Sequence, residues 1–247
     1  MTTIDALSFV GESRFGYART PDDLLRDMDA EDIATALVAP MHPVDGDLAV
    51  ANRELADIVR GSGGRLVGLV RVDPWDRDEA VAQLAGEVED GARGVYLDPA
   101  EEHFRINDPV VRPIAERAAE LGVPVVVSTG FPWLAETPQV ARFTRWCGDN
   151  TVIMTNGGQL SISGMGQFDA SRALASPNVH VLSNGMYRND YLERTVREFG
   201  AERLLFACVA PRFDVRYERR RVGQLTLTDE QRALVLAGNA TRLFGLG

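Results

Sequence analysis

Short, nearly continuous apolar runs alternate with stretches of helical periodicity about eight times along this chain. The strand candidates are Thr2–Phe9, Thr35–Ala39, Arg65–Val72, Gly94–Leu97, Val123–Ser128, Thr151–Thr155, Val179–Ser183 and Arg203–Cys208. Runs such as Val123-Pro124-Val125-Val126-Val127 lack the polar alternation of a half-exposed strand. They read as strands covered on both faces, as in a parallel sheet flanked by helices. Between them, Leu48, Ala51, Leu55, Ile58 and Val59 form one apolar stripe at helical spacing. Further helical patterns run from Ala80 to Val88 and from Val110 to Leu121, the latter ending at a Gly122 stop. Asn107-Asp108-Pro109 supplies a cap and a first-turn proline. Thr228-Asp229-Glu230-Gln231 matches a capping box opening the last helix. No linker or low-complexity segment divides the chain, so the pattern predicts one domain over 1–247, a (β/α)8 TIM barrel, rather than an open doubly wound sheet.

Such barrels carry function at the C-terminal ends of their strands. That rule puts Leu7, Phe9, Met41, His42, Arg71, Asp98, Ser128, Thr129, Asn156, Ser183, Asn184, Cys208 and Arg212 at or near the mouth.

Composition narrows the chemistry. All 26 basic residues are arginine, so no lysine exists to form a Schiff base. A formal net charge of −10 argues against nucleic acid or an anionic membrane as a general partner. Two cysteines, Cys147 and Cys208, are too few for a disulfide framework. The first residues carry neither a basic start nor a long apolar stretch, and no apolar run approaches a spanning length; a cytoplasmic protein is the expectation.

Several segments carry a resemblance. They are Gly68-Leu69-Val70-Arg71-Val72-Asp73-Pro74, Gly94-Val95-Tyr96-Leu97-Asp98-Pro99 and Phe104-Arg105-Ile106-Asn107-Asp108-Pro109. They continue with Ala119-Glu120-Leu121-Gly122-Val123-Pro124-Val125, Ser128-Thr129-Gly130 and Gly238-Asn239-Ala240-Thr241-Arg242-Leu243-Phe244. In this order the chain resembles the amidohydrolase-related (amidohydrolase 2) family, the barrel group that includes the aminocarboxymuconate-semialdehyde decarboxylases. The resemblance implies a divalent metal held by D-x-H-x-H on the first strand, by His on the fifth and often the sixth, and by Asp on the eighth. Asp5 matches the leading acid, but the other positions fall on Leu7, Phe9, Ser128, Asn156 and Val209. None of these is a competent ligand for a Zn²⁺-like ion, and the chain has only three histidines. No cofactor and no metal are therefore expected.

Other residues offer chemistry without metal. His42, in Pro40-Met41-His42-Pro43, is either a general acid/base at the mouth or an exposed loop histidine. Arg71 is either a two-pronged clamp for a substrate carboxylate or a partner of Asp73 or Asp98. Asp98 is a candidate base, although Asp98-Pro99 also suits a turn. Cys208 is a candidate nucleophile, or inert packing in an apolar strand. Ser128, Asn156, Asn184 and Arg212 are candidate substrate-binding groups. Two functions fit. The first is a barrel without a metal centre serving as a non-catalytic partner, either a homodimer or a heteromer with an intact amidohydrolase-type paralogue. The second is a metal-independent hydrolase, lyase or decarboxylase for a small carboxylate or carbonyl substrate.

Overall fold

Each predicted apolar run becomes a strand, and each strand leads into a helix packed on its outer side. The computed structural model describes residues 2–158, 166–186 and 188–246. The strands are β1 (Ile4–Glu12), β2 (Thr35–Pro40), β3 (Leu66–Gly68 and Val70–Arg71, interrupted at Leu69), β4 (Val95–Leu97), β5 (Val125–Val127), β6 (Val152–Met154), β7 (Val179–Leu182) and β8 (Leu204–Leu205). They alternate with α1 (Pro21–Ala30), α2 (Leu48–Gly61), α3 (Asp78–Glu89), α4 (Arg112–Leu121), α5 (Thr137–Cys147), α6 (Gly166–Leu174), α7 (Asn189–Phe199) and α8 (Val215–Gly223). This is the (β/α)8 architecture that the pattern predicts.

Neighbouring strands pair in parallel from β1 to the first half of β3, and from its second half to β8. Backbone bonds carry the ring across the interruption: Leu69 N–H donates to Val38 O (2.8 Å), and Val70 N–H to Gly94 O (3.0 Å). Three more join the first strand to the last, from Ala6 to Phe206 O, Val209 to Leu7 O, and Phe9 to Ala210 O, at 2.7–2.9 Å. At that seam β1 carries an irregularity between Asp5 and Ser8. The buried Asp5 carboxylate serves it, accepting from Leu7 N–H (3.2 Å), Cys208 N–H (2.8 Å) and the Ser8 hydroxyl (2.6 Å). Burial pushes the Asp5 carboxyl up to about 6 despite those donors.

The strands separate two apolar clusters. Outside the ring, Val95, Leu97, Val125, Val127, Val152 and Met154 pack against helix residues such as Leu55, Leu84, Ile114, Phe143 and Leu192. Inside it lie Leu7, Phe9, Leu37, Leu69, Tyr96, Val126, Ile153, Leu182, Leu205 and Val209. The two-residue period of a strand assigns alternate side chains to the two clusters. The capping box at Thr228 is present, and the last helical run, Asn239–Phe244, sends Ala240 and Phe244 into the inner cluster. Gly94 is required where that helix meets the ring. A Cβ there would lie 2.9 Å from Leu69 Cδ2, 3.0 Å from the Pro124 carbonyl and 3.2 Å from the Phe244 ring.

Two features differ from the sequence pattern. The first strand runs past the mouth and folds back on a short antiparallel strand, Ala18–Arg19. A local turn makes this hairpin: Ser13 N–H donates to Tyr17 O (2.7 Å) and Phe15 N–H to the Ser13 hydroxyl (3.1 Å). Asp108-Pro109 opens a single 3₁₀ turn, Pro109–Val111, and α4 follows it. Among the described residues no helix is long and apolar enough to cross a membrane.

Candidate active site

Arg71 ends β3 and Asp98 follows β4, so both reach the C-terminal mouth of the barrel. The Arg71 side chain is wholly buried. Its backbone is pinned by Asn52 of α2, which donates to Arg71 O (2.7 Å) and accepts from Arg71 N–H (3.0 Å). The guanidinium donates to Glu102 Oε1 from Nε (2.8 Å) and Nη2 (2.6 Å), and from Nη2 to Glu101 Oε2 (2.5 Å). A second guanidinium meets the same loop: Arg212 Nη2 donates to Glu101 Oε1 (2.5 Å) and Asp98 Oδ2 (3.0 Å). One carboxylate, that of Glu101, therefore spans both arginines with one oxygen on each.

Aromatic rings frame the cluster. Arg71 lies over the Tyr96 ring (5.4 Å) and Arg212 over the Phe9 ring (4.8 Å), while Phe9 and Tyr96 meet edge to face at 5.1 Å. Arg212 reaches this place because the chain turns sharply before it. Val209 adopts φ 55°, a left-handed conformation rarely taken by a β-branched residue, and Arg212 N–H closes the turn on Val209 O (3.0 Å). The loop after Asp98 is held from two sides, by Arg14 donating to Glu101 O (2.9 Å) and Trp75 Nε1 donating to Glu102 O (3.2 Å).

The cluster places three carboxyl groups against two guanidiniums where little water reaches. Burial works against the Asp98 anion, but Arg212, Arg71 and the Tyr96 hydroxyl outweigh it and hold the carboxyl below its ordinary value. Glu102 goes the other way. Burial raises it to about 8, and the Asp98 and Glu101 charges support that rise against Arg71. Its Oε2 is buried without a hydrogen-bond partner. Desolvation opposes the charge on both arginines, yet the surrounding carboxylates raise their affinity for the proton, so both stay charged.

The remaining candidates separate by place. His42 is nearly buried, with Nδ1 3.1 Å from Pro43 O and its ring edge to face with Phe15. Burial lowers its proton affinity, and Arg71 and Arg14 add to that against the opposing pull of the Pro43 carbonyl and Glu101. It is not the exposed loop residue of the alternative reading. Both oxygens of Asp98 are engaged: Oδ1 accepts from the Ala100 and Glu101 N–H groups (3.2 and 3.4 Å), and Oδ2 from Tyr96 (2.7 Å) and Arg212. Asp98 thus forms the turn and orients the second arginine. Across the mouth, Asn184 Nδ2 donates to Asn156 Oδ1 (2.8 Å), and Asn156 Nδ2 to Thr129 O (2.6 Å). These amides stitch β5, β6 and β7 together, beside a buried Ser128.

Cys208 requires a correction as a nucleophile. It belongs to the outer cluster between strands and helices, is fully buried, and has a thiol pushed well up by burial and by Asp5. Cys208 lies beyond β8, and its side chain packs in the outer cluster. The partners of Arg71 also differ from those the sequence suggests. They are Glu101 and Glu102, whereas Asp73 caps the following turn through Trp75 N–H (2.9 Å). Their signal was an adjacent acidic pair two residues past Asp98-Pro99, which reads in sequence as an ordinary charged loop beside His103.

The positions that the resemblance aligns with metal ligands do not fit a metal. Leu7 and Phe9 project into the ring interior and are almost completely buried, and Val209 joins the same apolar cluster. Among the described residues no group of three or more His, Cys, Asp or Glu is arranged to hold an ion. Next to the clamp, Phe9, Ser13, Tyr17, Met41, Glu101, Pro211 and Arg212 enclose a cavity of only about 10 Å³. That is room for roughly one water molecule.

A parallel arrangement of eight strands and helices with polar groups at the strand C-termini is the architecture of a TIM-type α/β barrel. The amidohydrolase model Amidohydro_2 matches residues 6–246, and the chain belongs to that family. Solved structures agree in fold. A 2,6-dihydroxybenzoate decarboxylase bound to 2,6-dihydroxybenzoate superposes with TM-score 0.80 at 18% identity, covering 100% of this chain and 99% of that one. A probable 2-pyrone-4,6-dicarboxylic acid hydrolase from Acinetobacter baumannii, with citric acid bound, gives TM-score 0.78 at 14% identity over 99% and 100%. A 5-carboxyvanillate decarboxylase from Sphingomonas paucimobilis gives 0.75 at 15% identity over 99% of each chain. A search of curated protein sequences returned no match.

Proposed function

We propose that this chain is a metal-independent decarboxylase, lyase or hydrolase that takes a small carboxylate at the barrel mouth. The observation that carries this reading is the pair of guanidiniums converging on a single carboxylate, that of Glu101. Two permanently charged forks facing one anion are a ready-made carboxylate seat. The relatives named above support the substrate class, since three of them are described by carboxylate substrates or a bound carboxylic acid. The partner-subunit reading gains no support from them, because they are named as decarboxylases and a hydrolase.

His42 supplies the proton chemistry in this reading, as a neutral imidazole near the clamp. The apolar Leu7 and Phe9 keep the floor dry and disfavour a free hydroxide or a diffusely charged intermediate. The test is calorimetry and turnover with benzoates and lactone carboxylates. Arg212→Gln should weaken carboxylate binding tenfold or more, since each charged hydrogen bond is worth roughly 1.5–3 kcal/mol. His42→Ala should abolish turnover while leaving affinity within about twofold, as expected when only proton transfer is removed. Absence of binding of every panel member below millimolar concentration, to wild type and to Glu101→Gln alike, would refute the proposal.

A further inference from the structure

Glu101 differs from the other members of the mouth cluster. Asp98 and Glu102 have no exposed side-chain surface, whereas Glu101 retains 13%. Arg71 keeps Glu102 as a second partner, and Arg212 keeps Asp98, so neither guanidinium depends on Glu101 alone. Glu101 also lines the small cavity, together with Phe9, Tyr17, Met41 and Pro211. Turning its carboxylate out to solvent would free the seat and enlarge the cavity in one movement.

From this geometry we infer that Glu101 is a built-in stand-in for the substrate carboxylate, and that the site is selective for a monocarboxylate with a short apolar or aromatic body. The inference rests on the carboxylate reading above. One incoming carboxylate takes the two positions that the Glu101 oxygens vacate, one on each arginine. Its body then extends past Phe9, Ser13, Tyr17, Met41 and Pro211 into the space that the Glu101 side chain leaves, since the cavity before that movement holds only about 10 Å³. Loop and ligand compete for one seat, so affinity is the difference between two similar contacts. A neutral ester cannot compete, since it carries no anion for the arginines.

The experiment compares wild type with Glu101→Gln, which keeps the shape and removes the charge, using calorimetry with benzoate and methyl benzoate. Benzoate should bind E101Q at least tenfold tighter than wild type, and methyl benzoate should bind neither. In a second arm, acetate is titrated into Glu101→Ala during thermal unfolding. The midpoint should rise with acetate more than in wild type, and this rescue should vanish when Arg212→Ala is added. Benzoate binding wild type and E101Q equally, with affinity still dependent on Arg212, would overturn the stand-in role and leave the carboxylate reading intact. Absence of benzoate binding to both proteins, together with absence of acetate rescue, would overturn the two together.

Discussion

Glu102 shows how one side chain ties the site to the stability of the fold. Folded, its carboxyl holds a proton up to about 8; unfolded, it releases that proton near 4.5. The folded state therefore binds more protons across that window, and stability present below about 4.5 is lost as pH rises through 8. Asp5 acts in the same direction between 3.8 and about 6. His180, whose proton affinity is depressed to about 4 chiefly by burial, opposes them and costs stability on acidification. Urea midpoints should accordingly fall between pH 6 and pH 9 in wild type, and Glu102→Gln should flatten that slope. An equal slope in both proteins would show that the proton resides elsewhere. At this scale the sequence was partly legible. Arg71, Arg212 and Asp98 stood out because strand ends mark the mouth. Glu101 and Glu102 did not, since only the fold brings a charged loop over two arginines. Cys208 was left open between nucleophile and packing, because a continuous apolar run carries no alternation to orient a side chain; the structure places it beyond β8 in the outer cluster.

At the scale of elements, the eight strands were readable because burial on both faces forces unbroken apolar sequence. The hairpin after β1 was not, since it is held by two local bonds at Ser13 in a short mixed turn that carries no strand pattern. The irregularity at Asp5 was equally hidden, because one of the donors to its carboxylate, Cys208 N–H, lies 203 positions away. Contacts between elements also set the tolerance of Gly94. The Leu69 side chain can rotate away from an added methyl, but the Pro124 carbonyl at 3.0 Å is backbone. Gly94→Ala should thus destabilise by about 1–3 kcal/mol, the usual cost of overpacking. Denaturant titration checks this; a change below about 0.5 kcal/mol would mean that the start of β4 is looser than its neighbours indicate.

For the whole molecule, the sequence order of β/α units and the resemblance both point to the barrel, and the family match covers nearly the entire length. The reaction was less legible, because it depends on how the mouth is filled. With Leu7, Phe9 and Val209 in the inner cluster, the ring is cemented by apolar contacts and the arginine–carboxylate network. Exhaustive dialysis against a chelator should leave the thermal midpoint within about 1 °C, since binding to the native state is what would otherwise raise it. Elemental analysis should find less than a tenth of an ion per chain. A chelator-induced drop, restored by one divalent ion, would overturn the metal-independent reading.

The Asp5 clasp also bears on how the barrel assembles. Its hydrogen bond to Cys208 N–H joins residues 203 positions apart, so the first strand waits for nearly the whole chain before its outer edge is satisfied. Closing so long a loop is entropically expensive, and contacts of this kind form late in folding. Until then β1 and β8 are both open edges, able to pair with another unfinished chain. During synthesis β1 therefore keeps one open edge after it has paired with β2, and the clasp is the step that ends this exposure.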